Sequence, residues 1–436
     1  MQTNNRSEKY QEDPSYYQKN ESITSNKQTP SEQEEGKKTS NDQCCGSKRA
    51  SYILKGCIFT AILLIITALV VLPQVFGGLT SSGNNDDKAR LPTPPSTDDP
   101  PTENSLPHKN NTFTPDPRLH QAFYGIDYTP HGTLYQQNCG IKYQDVIKDI
   151  NILRQLTTRI RLYGMDCDQA SLVLKAIKQL KINMGVVLTL WVDGNSVTYK
   201  RQYNAFWNLL KEFGGDHIIG VSVGNEAIFR KQIATNKLIQ LIKDVKHKLT
   251  QSGYPHIPVY TTEIKDLPQL IPEEDAVLDN VHPFFAGTLA KDAANWTWEY
   301  FYNVDQFPTL LSAKQLGLDR AQTKPAVISE IGWPTHPKDR KVQAAEPSID
   351  NQRILLETFV CEANRRQLPY FWFEFKDQPW KAVEFNETRE SYWGLFDKDL
   401  KLKHARLPNC QVDQWQKGNH TVIQPEPLGS VDLLDY

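Results

Sequence analysis

Neither sign of charge predominates in this chain: 49 Lys and Arg stand against 51 Asp and Glu, a formal net charge of −2 over 436 residues. Without a basic excess nothing points to a phosphate backbone, so no nucleic-acid partner is expected. The seven cysteines include no C-x-x-C pair and the ten histidines are scattered without ligand spacing, so no metal and no cofactor is expected. A Gly-rich phosphate loop is missing too. FYGIDYTPHG, the first strand-like segment and its continuation, contains no G-x-G-x-x-G, which argues against an open doubly wound sheet. The first fifty residues nearly lack aliphatic side chains and cannot bury enough apolar surface to offset ordering entropy, so 1–51 read as a disordered cytosolic tail.

The next segment lacks charge. Gly56 to Leu72 (GCIFTAILLIITALVVL) is apolar over a length that spans a bilayer, and it begins too far from residue 1 for a cleaved signal peptide. Residues 52–76 are therefore expected to form one retained signal-anchor helix in the membrane. Lys48, Arg49 and Lys55 precede the uncharged run that begins at Gly56, whereas Asp86 and Asp87 come before the first downstream base, Lys88. That asymmetry predicts a cytosolic N-terminus and an outer C-terminal part, a single-pass type II arrangement at the cell membrane. Residues 77–118, rich in Pro, Thr, Ser and Asn, read as an extended linker.

The outer part holds Cys139, Cys167, Cys361 and Cys410, an even set suited to an oxidising compartment. Of the three possible pairings, topology favours Cys139 with Cys167, in loops at one end of neighbouring strands, and Cys361 with Cys410. Asn110, Asn295, Asn386 and Asn419 each open an N-x-Ser/Thr sequon there and are glycosylation candidates. Asn5 and Asn20 match the same pattern but would stay bare in the cytosol. Cys44 and Cys45, just before the span, are either palmitoylated or free thiols.

Beyond the linker, short apolar runs alternate with helical periodicity. Strands are expected near 122–128, 158–164, 183–191, 218–226, 258–263, 280–285, 325–333 and 369–375. Val146, Ile150 and Leu153 mark one intervening helix; Val173, Ile177 and Leu180 another; and Leu238, Leu241, Ile242, Val245 and Leu249 a third, closed by Gly253. About eight such repeats predict a (β/α)₈ barrel over 119–412, followed by a C-terminal tail at 413–436.

Two glutamates stand where chemistry is expected. Glu226 ends the apolar run IIGVSVGNE and Glu330 lies near the end of PAVISEIGW, on the fourth and seventh expected strands. A strand covered on both faces reads as continuous apolar sequence, so a carboxylate at its C-terminal end overhangs the barrel mouth. Paired carboxylates suggest glycoside hydrolysis, one protonating the departing oxygen and the other trapping or stabilising the oxocarbenium-like centre. Like-charge repulsion between two such neighbours would raise the pKa of one of them. Asn225 would contact a sugar 2-hydroxyl or cap a following helix. Aromatic strand-end residues Tyr124, Tyr163, Trp191, Phe284, Trp333 and Trp372 are candidates to pack on pyranose faces. His282, Glu374 and Lys376 are polar candidates, with Asp377 either a further one or the ion-pair partner of Lys376. Asp127, Asp166 and Asp193 are weaker, and His282 belongs with them.

The segments FYGIDYTP, LTTRIRLYGMDC, VSVGNEAIFR, VHPFFAG, AANWTWEYF, SEIGWPT, FVCEAN, YFWFEFKDQPWK and YWGLFD together resemble glycoside hydrolase family 17, specifically its fungal membrane-anchored endo-1,3-β-glucanases. The resemblance runs from about Phe123 to Cys410. It implies a retaining (β/α)₈ enzyme with Glu226 as acid/base and Glu330 as nucleophile, acting on cell-wall β-1,3-glucan without an obligate protein partner. Ile331 and Thr335 stand where the family more often has Thr and Ser. A glucanosyltransferase with the same covalent intermediate, and a glucan-binding module without turnover, are the alternatives.

Overall fold

Strands β3 (Gly185–Leu190) and β8 (Ala326–Ile331) are buried at every position, as expected of parallel strands covered on both faces. The computed structural model describes residues 113–265, 267–317, 323–384 and 387–425. The tail, the apolar span, most of the linker, Asn110 and Asn386 lie outside the described residues. Among the described residues no helix is long and apolar enough to cross a membrane.

β1 (Gly125–Asp127), β2 (Arg159–Arg161), β3 and β4 (Ile218–Val223) run parallel to β5 (Val259–Tyr260), while β6 (Thr262–Glu263), β7 (Val277–Asn280), β8 and β9 (Tyr370–Trp372) continue the sheet on the other side of β1. The order is β5-β4-β3-β2-β1-β9-β8-β7-β6. Its two ends, β5 and β6, are consecutive in the chain and are separated only by Thr261, so the chain itself closes the ring. Counted as one barrel position, they give the expected (β/α)₈ arrangement.

Helices α1 (Tyr143–Leu153), α2 (Gln169–Leu180), α3 (Ser196–Phe213), α4 (Thr235–Gln251), α5 (Ala293–Phe301), α6 (Phe307–Gln315), α7 (Ile349–Arg365) and the short α8 (Trp380–Glu384) follow the strands in turn, except that among the described residues none separates β6 from β7 and both α5 and α6 follow β7. The predicted periodicities become buried faces: Val146, Ile150 and Leu153 on α1, Val173 and Ile177 on α2, and Leu238, Ile242, Val245 and Leu249 on α4. Leu180 and Leu241 sit at the edges of their stripes and are half-buried. α4 stops as predicted at Gly253, whose φ of 85° lets the Tyr254 N–H reach back to the Leu249 carbonyl at 2.9 Å.

One strand is displaced. The sixth barrel strand was expected at 280–285, but β7 ends at Asn280 and the chain turns over His282–Gly287, with the Gly287 N–H on the Phe284 carbonyl at 3.0 Å. Pro283, which has no N–H to give a ladder, explains why NVHPFF does not continue the sheet. β9 is likewise shorter than 369–375. It ends at Trp372, and Phe373 turns to the barrel mouth.

The N-terminal ends of the strands form a floor, and residues 413–425 cross it. Trp415, 2% exposed, gives two hydrogen bonds, its N–H to Thr158 Oγ1 at 2.9 Å and its indole N–H to the Asn419 carbonyl at 2.6 Å, and its carbonyl accepts the Asn183 side-chain amide. Arg159 binds Asp413 and lies 4.1 Å over the Tyr124 ring, while His420 Nδ1 meets the Ile218 carbonyl at 2.8 Å. A terminal segment so tied is part of the domain's stability. Trp415→Ala is expected to cost about 3–5 kcal/mol, the usual range for a buried Trp truncated to Ala. Urea unfolding checks this; a change below about 1 kcal/mol means the floor segment is not packed as described.

Candidate active site

Arg161 lies at the bottom of the barrel mouth, fully buried on β2 among groups drawn from four strands or strand ends. Its Nη1 donates to Glu330 Oε1 at 2.9 Å, to the Tyr163 hydroxyl at 2.8 Å and to Asp127 Oδ1 at 3.3 Å; its Nη2 donates to Asn225 Oδ1 at 2.6 Å. A planar fork that never loses its charge is suited to joining such a set. Asp127, beneath it, is raised well above the ordinary carboxyl range by burial, with Arg161 opposing and Glu330 adding to the rise.

Glu330 also accepts the Tyr163 hydroxyl at 2.8 Å, and its other oxygen lies 3.2 Å from His282 Nε2. Burial works against ionisation here, yet the hydrogen bond from His282 and the charge of Arg161 outweigh it and hold Glu330 well below the usual carboxylate range. The sequence makes this position by ending β8 in Ser-Glu-Ile-Gly-Trp-Pro. A Cβ on Gly332 would come within 1.9 Å of the Phe373 carbonyl oxygen, so only glycine lets β8 leave the sheet beside Phe373.

Glu226 is set differently. β4 ends at Val223, Gly224 turns at φ 92°, and Glu226 itself takes the left-handed φ of 52°, a conformation that few non-glycine residues adopt. Its N–H is fixed by the Thr262 carbonyl at 2.6 Å. Asn280 Nδ2 donates to Oε1 at 2.7 Å, and Arg230 Nη1 stands 3.6 Å from Oε2. Burial is the main cause that raises the Glu226 pKa; Arg230 opposes it and the Glu330 charge adds to it. Like-charge repulsion, expected from the sequence, therefore contributes but does not lead. Glu263 supports the turn from below, accepting the Ile228 and Phe229 N–H groups at 2.9 and 3.1 Å.

Both glutamates open onto one cleft of about 630 Å³. Of the other predicted contact residues, Asn225, Tyr163, Trp191 and His282 line it, as do Asp166 and Asp193. Asn225 caps no helix, because the next one begins at Thr235 with Ala234 at its cap. The remaining predicted contacts do not line the cleft. Tyr124 lies at the floor against Arg159. Phe284 packs edge-on against Trp333 at 5.3 Å, and Trp333 donates its indole N–H to the Glu346 carbonyl at 2.9 Å. Trp372 packs on Phe123 at 6.1 Å. Strands covered on both faces bury aromatic side chains against the helices as readily as toward the mouth, and sequence does not distinguish the two.

Glu374 and Lys376 are also withdrawn into ion pairs. Glu374 binds Lys381 at 2.7 Å, leaving Lys381 to line the cleft; burial, against the pull of Lys381, pushes Glu374 up to about 7. Lys376 binds Asp149 at 2.6 Å rather than its neighbour Asp377, which pairs with Lys403 at 2.5 Å. Residues missed from the sequence are Arg161, Asn280, Arg230, Phe373, Lys381 and Trp393. Arg161 had a signal: a second arginine in the strand-like run TRIRLYG needs carboxylates around it if the strand is buried, and here it is 0% exposed.

Cys139 pairs with Cys167 and Cys361 with Cys410, with Cα–Cα distances of 5.3 and 5.7 Å, the pairing that topology favoured. Asn295 and Asn419 are both exposed.

Residues 125–394 match the BtgE/BtgC glycoside hydrolase domain. Similar curated proteins include the probable glucan endo-1,3-beta-glucosidase btgC of Aspergillus flavus, 36% identical over 319 residues, and the glucan endo-1,3-beta-glucosidase btgC of Emericella nidulans, 32% identical over 317. Each alignment covers 67% of this chain but only 44% and 47% of those proteins, so the chain spans somewhat less than half of their length. Among solved structures, the glycoside hydrolase family 17 β-1,3-glucanosyltransferase of Rhizomucor miehei is 26% identical with a TM-score of 0.56, covering 66% of this chain and 98% of that one. An active-site mutant of the Rhizomucor miehei β-1,3-glucanosyltransferase, in complex with laminaritriose, aligns with the same TM-score at 25% identity, again over 66% of this chain and 98% of that one. With a closed parallel barrel, two carboxylates in one cleft and a domain match over most of that barrel, the chain belongs to the BtgE/BtgC glycoside hydrolase family.

Proposed function

We propose that this protein cleaves internal β-1,3-glucosidic bonds of cell-wall glucan by a retaining double displacement. One observation carries the proposal: two buried carboxyl groups share a cleft with opposite protonation preferences, Glu226 raised and Glu330 lowered. Glu226 gives its proton to the glycosidic oxygen as Glu330 attacks C1 and the C1–O bond breaks, leaving a glycosyl ester on Glu330. Esterification removes the charge of Glu330, so Glu226, now ionised, takes a proton from water as that water attacks C1 and releases Glu330. Asn225, whose Oδ1 already accepts from Arg161, offers its amide N–H to the sugar 2-hydroxyl. Trp191 and Tyr163, both partly exposed in the cleft, supply aromatic surface for pyranose faces.

Transfer of the same intermediate to a sugar hydroxyl is the second reading, favoured by the glucanosyltransferase names of the Rhizomucor miehei structures. Incubating the full chain with a reduced linear β-1,3-glucan oligosaccharide separates the two. Shorter products that first appear as β-anomers indicate retaining hydrolysis, products longer than the substrate indicate transfer, and an absence of products from folded protein overturns both. The apolar run at 52–76, the charge asymmetry around it and two disulfides in the barrel support a type II anchor with the catalytic domain facing the wall. The exposed sequons Asn295 and Asn419 fit glycosylation in that compartment.

A further inference from the structure

The wall of the cleft built from the first four strand–helix loops shows one arrangement twice. Near the carboxylates, the Arg230 guanidinium stands 4.7 Å from the Trp191 ring centre and 3.6 Å from Glu226. Farther out, the Arg201 guanidinium stands 3.8 Å from the centre of the Tyr135 ring, and no catalytic group is involved. Tyr135 lines the same cleft yet is 49% exposed, which is unusual for an aromatic ring with one face already covered.

The ring is also held in place. Arg201, from the first turns of α3, is gripped by Asp166 through two bonds, Nε to Oδ1 at 2.6 Å and Nη2 to Oδ2 at 2.9 Å. The Cys139–Cys167 disulfide ties the loop that carries Tyr135 to the residue next to Asp166. The loop is thus fastened at Cys139 and the ring is backed by Arg201, so its other face stays presented to the cleft. A ring ordered before a ligand arrives loses little freedom on binding.

We propose that Tyr135 is a stacking station for a β-1,3-linked glucosyl unit remote from the scissile bond, so that the enzyme favours long chains. The proposal rests on the glucan-cleaving reading above and assigns that cleft an outer subsite. Binding there is made equally in the ground and transition states, so its loss falls on KM rather than kcat.

The test uses the full chain with reduced β-1,3-glucan oligosaccharides from disaccharide to octasaccharide, comparing kcat/KM at each length. Wild type should gain with length, and Tyr135→Ala should lower the long-to-short ratio about tenfold through KM, with the ratio restored by Tyr135→Phe and Tyr135→Trp. An unchanged ratio in Tyr135→Ala, an equal loss at every length, or a Tyr135→Phe variant as impaired as Tyr135→Ala overturns the station. Wild type that cleaves none of these substrates overturns the functional reading itself, a result distinct from cleavage without length dependence.

Discussion

Glu330→Gln is expected to lower turnover of a β-1,3-glucan oligosaccharide by about 10⁴-fold or more while leaving the domain folded, because it removes the nucleophile and keeps its shape. Gln can still accept from Arg161 and Tyr163, and Asp127 remains beside the guanidinium, so the buried cation is not stranded. A rate loss alone does not separate nucleophile from acid, but azide does. In Glu330→Ala, azide fills the vacated space, attacks an aryl β-glucoside with a good leaving group and expels the aryloxide, giving the α-glycosyl azide. In Glu226→Ala the ester still forms on Glu330, since a good leaving group needs no proton; azide then displaces Glu330 from the opposite face and gives the β-glycosyl azide. NMR of the two products decides the roles. The reverse pattern would exchange Glu226 and Glu330, and near wild-type turnover in Glu330→Gln would remove the carboxylate pair as the basis of function.

These two residues were legible in the sequence for a physical reason. A barrel strand is buried on both faces, so it is written as an unbroken apolar run, and a carboxylate at its C-terminal end interrupts that run where the mouth opens. The same burial hid the substrate contacts. Trp333 and Trp372 end equally apolar runs and are both fully buried, because nothing in an apolar run says which face a ring takes. Glu374 and Lys376 looked free to meet sugar; their partners, Lys381 and Asp149, come from a short helix after the last strand and from the first helix of the barrel. Asn280, the donor to Glu226, was obscured by a boundary: the strand was expected to begin where it ends, since VHPFF is apolar enough to read as strand until the missing N–H of Pro283 is counted. Residues 413–425 read as a tail because they lack periodicity, yet side-chain to backbone bonds such as that from Trp415 to Asn419 hold them. Local pattern recovers what burial imposes on one element, and misses what is decided between elements.

Arg161 is where that distinction has its largest consequence after the nucleophile. The hydrogen bond from His282 and the charge of Arg161 together hold Glu330 ionised, so Arg161→Met should raise the Glu330 pKa by removing the neighbouring cation. The sign follows from the chemistry: attack requires Glu330 deprotonated, which defines the acid limb of kcat/KM, while Glu226 must be protonated, which defines the basic limb. A lowered Glu330 and a raised Glu226 give the wild type a broad plateau. In Arg161→Met the acid limb moves up in pH and the plateau narrows from that side. Glu226 is raised chiefly by its own burial and makes no contact with Arg161, so the basic limb stays where it is. Stability changes in the same direction. A carboxyl whose folded pKa is depressed contributes stability that is present above its unfolded value of about 4.3 and fades as pH falls through the folded value. Removing the cation reduces that contribution and leaves Asp127 and Glu330 buried together, at a cost of about 3–5 kcal/mol near neutrality. Arg161→Lys separates charge from geometry, because an ammonium can neutralise Glu330 but cannot also reach Asn225 as the planar fork does. It should keep the acid limb near that of wild type while kcat falls, because Asn225 is no longer held. Paired pH profiles and urea unfolding at two pH values check both variants; an acid limb that does not move in Arg161→Met means that His282 and Tyr163 alone keep Glu330 ionised.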